Sequence, residues 1–232
     1  MSEADLKKIK KYLESRAQTG EEGFWIAPFA DSYIKKSNTA FDDLKNEVIK
    51  CRRCQLGKYR IKACFGEGNQ NAEILFIGEG PGYEEDHSGI VFVGRAGKLL
   101  DKIIKEVLGF DRSRIYITNI VKCHPMKDPL NPEKRGNDRP PDNGEICSCM
   151  PYLTEQIRII RPKVIVTLGS PSSKTILNTS KGISGIRGKV FNITIADLPV
   201  KVVPVYHPAY LLRSPGKSQE MYEDMKTIGS LL

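Results

Sequence analysis

The sequence ILFIGEGPG at residues 74–82 decides the fold. Residues 74–77 are a short, continuous apolar run, typical of a strand covered on both faces in a parallel sheet. Residues 78–82 place three glycines around one proline, which predicts a turn where backbone amides approach a ligand or phosphate closely. In open parallel sheets the loops at the carboxyl ends of strands form the ligand site. The stretch therefore predicts a parallel sheet and the edge of it that binds a ligand.

Three further apolar runs have the same form, and they occupy residues 115–117, 164–166 and 202–205. Between the runs lie segments with apolar residues at helical spacing, the clearest at residues 99–108 and 152–160. The stretch after Pro208 predicts a final helix that runs to Leu232. Strands that alternate with helices predict an α/β sandwich with a mostly parallel sheet.

The composition is typical of a folded protein that binds an acidic partner. The chain has 232 residues, a formal net charge of +8 and 40% hydrophobic residues, so it can bury a sizeable core and global disorder is excluded. No apolar stretch reaches the roughly 18 residues that a membrane span needs. The charged start, MSEADLKKIKKYLE, lacks a signal-peptide core, so we expect an intracellular protein. The basic surplus predicts an acidic partner, such as nucleic acid or a membrane surface.

The cysteines predict metal binding rather than disulfides, because cytosolic thiols stay reduced. Cys51 and Cys54 form a CxxC pair, which can place two thiolates on one metal or cluster. The other four are Cys64, Cys123, Cys147 and Cys149. A site of four thiolates, with two cysteines left over, fits both an iron–sulfur cluster and zinc. Spacing alone leaves the metal open.

The predicted strands end in loops that carry glycine or polar side chains. Besides residues 78–82 these are Asn119, residues 169–171 and His207. Each alone also fits a structural role, since Gly and Asn are common in such loops. Because the carboxyl ends of parallel strands meet at one edge, we expect them to form one site. The glycine-rich turn lacks the Lys-Ser/Thr pair of a P-loop, which argues against a nucleoside triphosphatase.

Four ordered motifs resemble the family 4 uracil-DNA glycosylases. They are GEGPG at residues 78–82 with Glu85-Asp86, FVGRAGKLL at 92–100, TNIVKC at 118–123 and HPAYLLR at 207–213. The resemblance begins at about Phe41 and implies a three-layer α/β/α sandwich with a central four-stranded parallel sheet. It divides the chain into an N-terminal helical extension, residues 1–40, and a glycosylase domain, residues 41–232.

The resemblance implies a 4Fe-4S cluster with a structural role. The ligands that match the family are Cys51, Cys54, Cys123 and Cys149. Cys149 is chosen over Cys147 because it keeps the family's register with the Pro-Tyr-Leu that follows. Cys64 and Cys147 then remain ordinary thiols.

The implied activity is that of a monofunctional uracil-DNA glycosylase of base-excision repair, which flips uracil out of single- or double-stranded DNA and leaves an abasic site. By resemblance the substrate contacts are Gly78, Glu79, Gly80, Phe92, Asn119 and His207. Phe92 stacks on the base and Asn119 hydrogen-bonds its edge. His207 stabilises the charge that develops on uracil O2, in either protonation state, and Glu79 positions the water. No lysine stands out as a Schiff-base nucleophile, so we predict no lyase activity.

The same resemblance predicts the DNA contacts. Leu211 is expected to fill the gap in the base stack, and Arg213 to contact a phosphate. An insertion, Met126–Arg135, predicts a lengthened DNA-contacting loop within a long exposed stretch from Lys127 to Pro141. We also expect Arg95 and Lys122 to contribute positive charge around the strand ends.

Two rival hypotheses remain on sequence grounds. One is a non-catalytic iron–sulfur protein that binds nucleic acid; intact Phe92, Asn119 and His207 argue against it. The other is a glycosylase that also removes hypoxanthine or mismatched thymine, although HPAY at residues 207–210 favours the uracil-specific group. We expect a cytoplasmic, nucleoid-associated monomer of prokaryotic type, with no membrane partner and with a repair or replication partner recruited through the extension.

Overall fold

The structure, a computed structural model, describes residues 40–232. The helices are α1 (Ala40–Lys50), α2 (Leu56–Tyr59), α3 (Tyr83–Ser88), α4 (Arg95–Leu108), α5 (Asn143–Ile160), α6 (Ser170–Leu177), α7 (Ile183–Ile186), α8 (Pro208–Arg213) and α9 (Ser218–Gly229). The strands are β1 (Glu67–Gly68), β2 (Ile74–Gly78), β3 (Tyr116–Asn119), β4 (Val164–Leu168), β5 (Phe191–Ile195) and β6 (Leu198–Val205). Apart from Ala40, the predicted N-terminal extension lies outside the described residues. Among these helices, none is both long and apolar enough to cross a membrane.

The four predicted strands form the parallel centre of the sheet. The sheet has six strands in the order β1-β3-β2-β4-β6-β5, and β3, β2, β4 and β6 are parallel. The two edge strands are antiparallel and were not predicted. β1 is only two residues long and therefore has no apolar pattern. β5 turns into β6 through Ala196 and Asp197, both at positive φ, and alanine gives no turn signal there.

Alternate residues of the central strands face two separate cores, which confirms the three-layer sandwich. Leu75 and Ile77 of β2 pack with α1 and α5 on one face of the sheet. Ile74 and Phe76 pack with α4 and α9 on the other. This pattern follows from the pleat of a strand, in which successive side chains point to opposite faces. It explains why the strands read as continuous apolar runs.

The predicted final helix is broken in two, so that prediction was wrong. α8 ends at Arg213, a 3₁₀ turn covers Pro215–Lys217, and α9 begins at Ser218. Proline has no amide hydrogen and disfavours helical geometry in the residue before it, and Ser214 accordingly has φ −135° and ψ 69°. The break separates the HPAYLLR segment from α9.

The stretch from Lys127 to Pro141 is a loop without helix or strand, but it is not uniformly exposed. Asn137 is buried, and its side chain bonds both the amide and the carbonyl of Asp128, at 2.8 Å each. The loop also contacts α3, through Arg135 to Glu84 at 2.6 Å and Glu133 to His87 at 2.8 Å. These bonds fix the loop from within and at its flank.

Candidate active site at the carboxyl ends of the strands

Three of the predicted site residues meet at one edge of the sheet. Gly78 at the end of β2 pairs in register with Asn119 at the end of β3. His207 follows β6 and lies against Gly169, the residue after β4. A Cβ at Gly169 would stand 2.9 Å from the His207 Cβ, and Gly169 has φ +86°, so glycine is required there for both space and conformation.

The lack of a side chain at Gly78 lets Asn119 and Phe92 pack closely against it. A Cβ built at Gly78 would lie 2.3 Å from Asn119 Oδ1 and 2.7 Å from Phe92 Cζ. The Phe92 ring in turn faces the His207 ring, with centroids 5.8 Å apart and planes at 33°. An aromatic face, a carboxamide and an imidazole therefore surround one small region.

Asn119 presents an unused hydrogen-bonding atom to this region. Its side chain is 1% exposed, and Oδ1 is buried with no hydrogen-bond partner within residues 40–232. Buried polar atoms in folded proteins are nearly always paired, because an unpaired one forfeits its hydration. The acceptor beside Gly78 and Phe92 is therefore available to accept a hydrogen bond from a ligand.

His207 is held in one tautomer by the helix that it caps. It is the N-cap of α8, and its Nδ1 accepts the Ala209 amide hydrogen at 3.1 Å. The neutral ring consequently carries its hydrogen on Nε2. Burial, with a smaller contribution from Arg213, lowers the pKa of His207 to about 4. The imidazole is therefore a neutral hydrogen-bond donor near pH 7.

The loop that follows β2 is attached to the loop that follows β3. Ile120 and Val121 donate their amide hydrogens to the carbonyls of Gly78 and Glu79, at 2.9 and 3.1 Å. A Cβ at Gly80 would stand 2.8 Å from a Val121 methyl carbon, so this turn packs closely. Burial raises the pKa of Glu79 above its usual value of 4.5. Glu79 thus retains a proton to higher pH than an exposed glutamate does.

The four cysteines expected to bind a cluster line one cavity. Cys51 and Cys54 follow α1, Cys123 follows β3 and Cys149 lies in α5. Other residues that line it include Arg53, Arg60, Lys122 and Tyr152. Within residues 40–232, no three His, Cys, Asp or Glu side chains are placed to hold a single metal ion.

Nitrogen donors already point at three of these sulfurs, and one of them is the Arg53 amide, which donates to Cys51 Sγ at 3.5 Å. Arg60 Nη1 donates to Cys123 Sγ at 2.9 Å, and the Lys122 amide donates to Cys149 Sγ at 3.3 Å. Burial raises the pKa of Cys123 to about 11 and that of Cys149 to about 12, while the Arg60 and Lys122 charges act in the opposite direction. Four thiols on one cavity, beside cations, are the donor set that an iron–sulfur cluster requires.

The sequence of residues 65–226 matches a family model described as the uracil DNA glycosylase superfamily. The chain belongs to this superfamily. It is 43% identical over 196 residues to a type-4 uracil-DNA glycosylase of Sulfurisphaera tokodaii, covering 83% of this chain and 84% of the relative. It is 42% identical to the Saccharolobus solfataricus type-4 enzyme, covering 82% and 86%, and 39% identical to that of Archaeoglobus fulgidus, covering 83% and 93%. The resemblance found in the motifs is confirmed.

Two DNA-contact expectations for this superfamily member need correction. Leu211 is 1% exposed and packs in the core, because in the short helix α8 it points inward; Leu212 is 37% exposed. Lys122 is 1% exposed, and its Nζ donates to Thr118 Oγ1 and the Asn119 carbonyl, both at 2.7 Å. Lys122 therefore faces the protein interior. Arg213 is exposed at the end of α8, as a phosphate contact requires.

The motifs contained a residue whose task the sequence did not reveal. Glu85 Oε1 accepts the amide hydrogens of Val93 and Gly94, at 2.9 and 3.1 Å, and Oε2 accepts that of Gly82 at 3.2 Å. The carboxylate thus joins the glycine-rich turn to the segment that carries Phe92. Its place three residues beyond that turn was the only sequence signal, and it does not specify which amides are bound.

Proposed function

We propose that the chain removes uracil from DNA by hydrolysing its N-glycosidic bond, leaving an abasic site for base-excision repair. The observation that carries this is the buried Oδ1 of Asn119 beside Phe92, which has no hydrogen-bond partner in the part of the chain that the structure describes. A carboxamide offers an acceptor for uracil N3–H and a donor for O4, and a phenylalanine ring offers a stacking face. The names of the type-4 relatives support the same substrate.

The catalytic proposal follows from the charge that uracil acquires as it leaves. His207 Nε2–H would donate to O2, where the negative charge develops, and a preorganised donor is worth most there. Glu79 would position the attacking water, and Gly78 and Gly80 would border the base and sugar. Lys122 Nζ is occupied by two hydrogen bonds inside the protein, which supports a reaction without a Schiff base.

The deciding experiment uses uracil-containing single- and double-stranded oligonucleotides. We expect alkali-labile product from both, and no strand cleavage before alkali. Matched oligonucleotides with thymine mispairs or hypoxanthine should give little product. If cluster-loaded protein yields no alkali-labile product from the uracil strands, the proposal is wrong; strong hypoxanthine release would favour the broader glycosylase. We expect a monomer that acts on DNA in the cytoplasm and nucleoid.

We further propose that Cys51, Cys54, Cys123 and Cys149 hold a 4Fe-4S cluster. The cluster would supply structural cross-linking, because its ligands come from the ends of α1 and β3 and from α5. The positive charges of Arg53, Arg60 and Lys122 around the cavity suit a group ligated by four thiolates. Anaerobically purified protein should be brown and contain about four irons per chain. Bound zinc in place of iron would contradict the proposal.

Arg60→Met tests whether the cation at Cys123 supports the cluster. Losing the N–H···S bond and the positive charge should raise the pKa of the Cys123 thiol and weaken ligation, since ligands must be deprotonated. We expect at least half of the iron to be lost on gel filtration, measured as iron per chain and visible absorbance. Lys58→Met also replaces a cation by methionine, at an exposed position of α2, and should keep wild-type iron content. Equal iron retention in both variants would contradict the assignment.

Leu212, not Leu211, should fill the gap that the flipped base leaves in the DNA base stack. Leu212→Ala should lower single-turnover activity on duplex DNA about tenfold, with little change on single strands, because the exposed leucine has a stack to fill only in the duplex. Leu211→Ala should instead destabilise the fold by about 2–5 kcal/mol through the cavity that it leaves. Thermal unfolding and paired duplex and single-strand assays separate the two. A duplex-specific loss in Leu211→Ala, at an unchanged melting temperature, would restore the original expectation.

A further inference from the structure

Phe92 adopts a backbone conformation that a phenylalanine does not favour. Its φ is +53°, in the left-handed region where a side chain is strained. Its carbonyl also lies deep against the first turn of α4, since a Cβ at Gly97 would stand 1.7 Å from that oxygen. Such a conformation persists only where the surroundings enforce it.

Arg112 holds Phe92 in this conformation through hydrogen bonds to backbone carbonyls. It lies between α4 and β3, outside all four motifs. Nη1 donates to the Val91 carbonyl at 2.9 Å, and Nη2 donates to the Phe92 carbonyl. On the amide side, Glu85 accepts from the two residues after Phe92. The Glu85 carboxylate therefore holds the two amides that follow Phe92. The Arg112 guanidinium holds the carbonyls of Val91 and Phe92.

The guanidinium is itself anchored so that it cannot turn away. Nε and Nη2 donate to both carboxylate oxygens of Asp101 in α4, at 3.0 and 3.1 Å. Nη1 also donates to Glu67 in β1 at 2.7 Å. These bonds and the two carbonyls occupy all five hydrogens of the planar fork, which a lysine could not do. The arginine thus ties the edge strand and α4 to the Phe92 peptide.

We propose that Arg112 is a positioning residue for the base-stacking ring of Phe92. The inference rests on the proposed function, because it assumes that Phe92 stacks on the flipped base. Holding the Phe92 peptide fixes where its ring stands relative to Gly78, Asn119 and His207. Loss of Arg112 releases the peptide from its strained conformation. The Phe92 ring then leaves the position in which it would stack on the flipped base.

A double-mutant cycle tests this inference, with single-turnover uracil release as the readout. Arg112→Met should slow release about 10- to 100-fold, as expected when a contact group is misplaced by roughly 1 Å. Phe92→Ala should also slow release. In the Phe92→Ala background, Arg112→Met should cost less than about threefold more, because the ring through which it acts is absent. If the two losses multiply, Arg112 acts independently of Phe92 and the proposal is overturned.

Matched controls separate positioning from mere stability. Asp101→Asn and Glu67→Gln each weaken one ion pair of Arg112 but leave its bonds to the Val91 and Phe92 carbonyls. Both should retain uracil release within about threefold, even where their melting temperature falls as far as that of Arg112→Met. Equal rate losses in all three variants would overturn the proposal. Both carboxylates are partly exposed, so Arg112→Met does not bury an unpaired charge.

Two further results complete the test. If Arg112→Met does not fold, Arg112→Lys takes its place in the cycle and should show the same non-additivity with a smaller loss. Wild-type protein that releases no uracil would refute the proposed function itself. Wild-type protein that releases uracil while Arg112 and Phe92 behave additively would refute only the positioning role.

Discussion

His207→Ala should slow single-turnover uracil release about 100- to 1,000-fold, the loss typical of removing one donor to a developing anion. The N-cap bond from the Ala209 amide to Nδ1 leaves Nε2–H as the donor of the neutral ring. His87→Ala is the matched control, because His87 is a surface histidine paired with Glu133 and should keep activity within about twofold. Both variants should retain the brown colour. A loss in His207→Ala below tenfold would mean that another group stabilises the anion.

The pH dependence distinguishes a neutral from a charged imidazole. The pKa of His207 is lowered to about 4, so the ring stays neutral from about pH 5 upward. Single-turnover release should therefore show no decline as pH rises through 6.5, the decline that an imidazolium donor would cause. On the acid side release should fall, because burial raises the pKa of Glu79 and its carboxylate is protonated above the usual 4.5. Glu79→Gln should remove that acid limb.

Asn119→Ala is the second substitution for which we expect a loss of about 100- to 1,000-fold. It removes two hydrogen bonds to the uracil edge, each worth about 1–3 kcal/mol in a buried site. Asn119 Oδ1 has no partner among the described residues, so its removal should not destabilise the fold. Asn192→Ala, the same change on the exposed side of β5, should leave both activity and stability unchanged.

The measurement for Asn119 is single-turnover uracil release together with thermal unfolding. Asn119→Ala should match or exceed the wild-type melting temperature while losing activity, the pattern expected of a residue kept for binding rather than for packing. A lower melting temperature with nearly normal release would show that Asn119 serves the fold and would remove the observation on which the proposed function rests.

The parts of the fold and site that follow from local sequence were predictable. Residues 74–77 and the other apolar runs indicated parallel strands, because only strands covered on both faces bury every side chain. Strand polarity then placed Gly78, Asn119 and His207 on one edge. The edge strand β1 escaped prediction because it is only two residues long and is stabilised by pairing with β3, which is distant in the chain. The edge strand β5 was missed although its residues alternate between apolar and polar, as in a half-buried strand.

Several site properties depend on contacts that no local pattern encodes. The inward direction of Leu211 follows from the phase of α8, which Pro208 begins and Ser214-Pro215 ends. The inward direction of Lys122 follows from partners in β3, and a lysine in a basic protein otherwise predicts a surface charge. Arg112 lacks any motif, and its role arises from acceptors contributed by β1, α4 and the Phe92 segment.

The amino-acid sequence by itself determined the α/β class, because strand patterning is a short-range property of the chain. Its four ordered motifs, through their resemblance to a known family, indicated the superfamily and the four cysteines that share one cavity. Only the tertiary structure decided the lowered pKa of His207, the exposure of Leu212 over Leu211, and the two-sided restraint of Phe92. Each depends on how a side chain packs against the rest of the fold, and packing fixes the direction of that side chain.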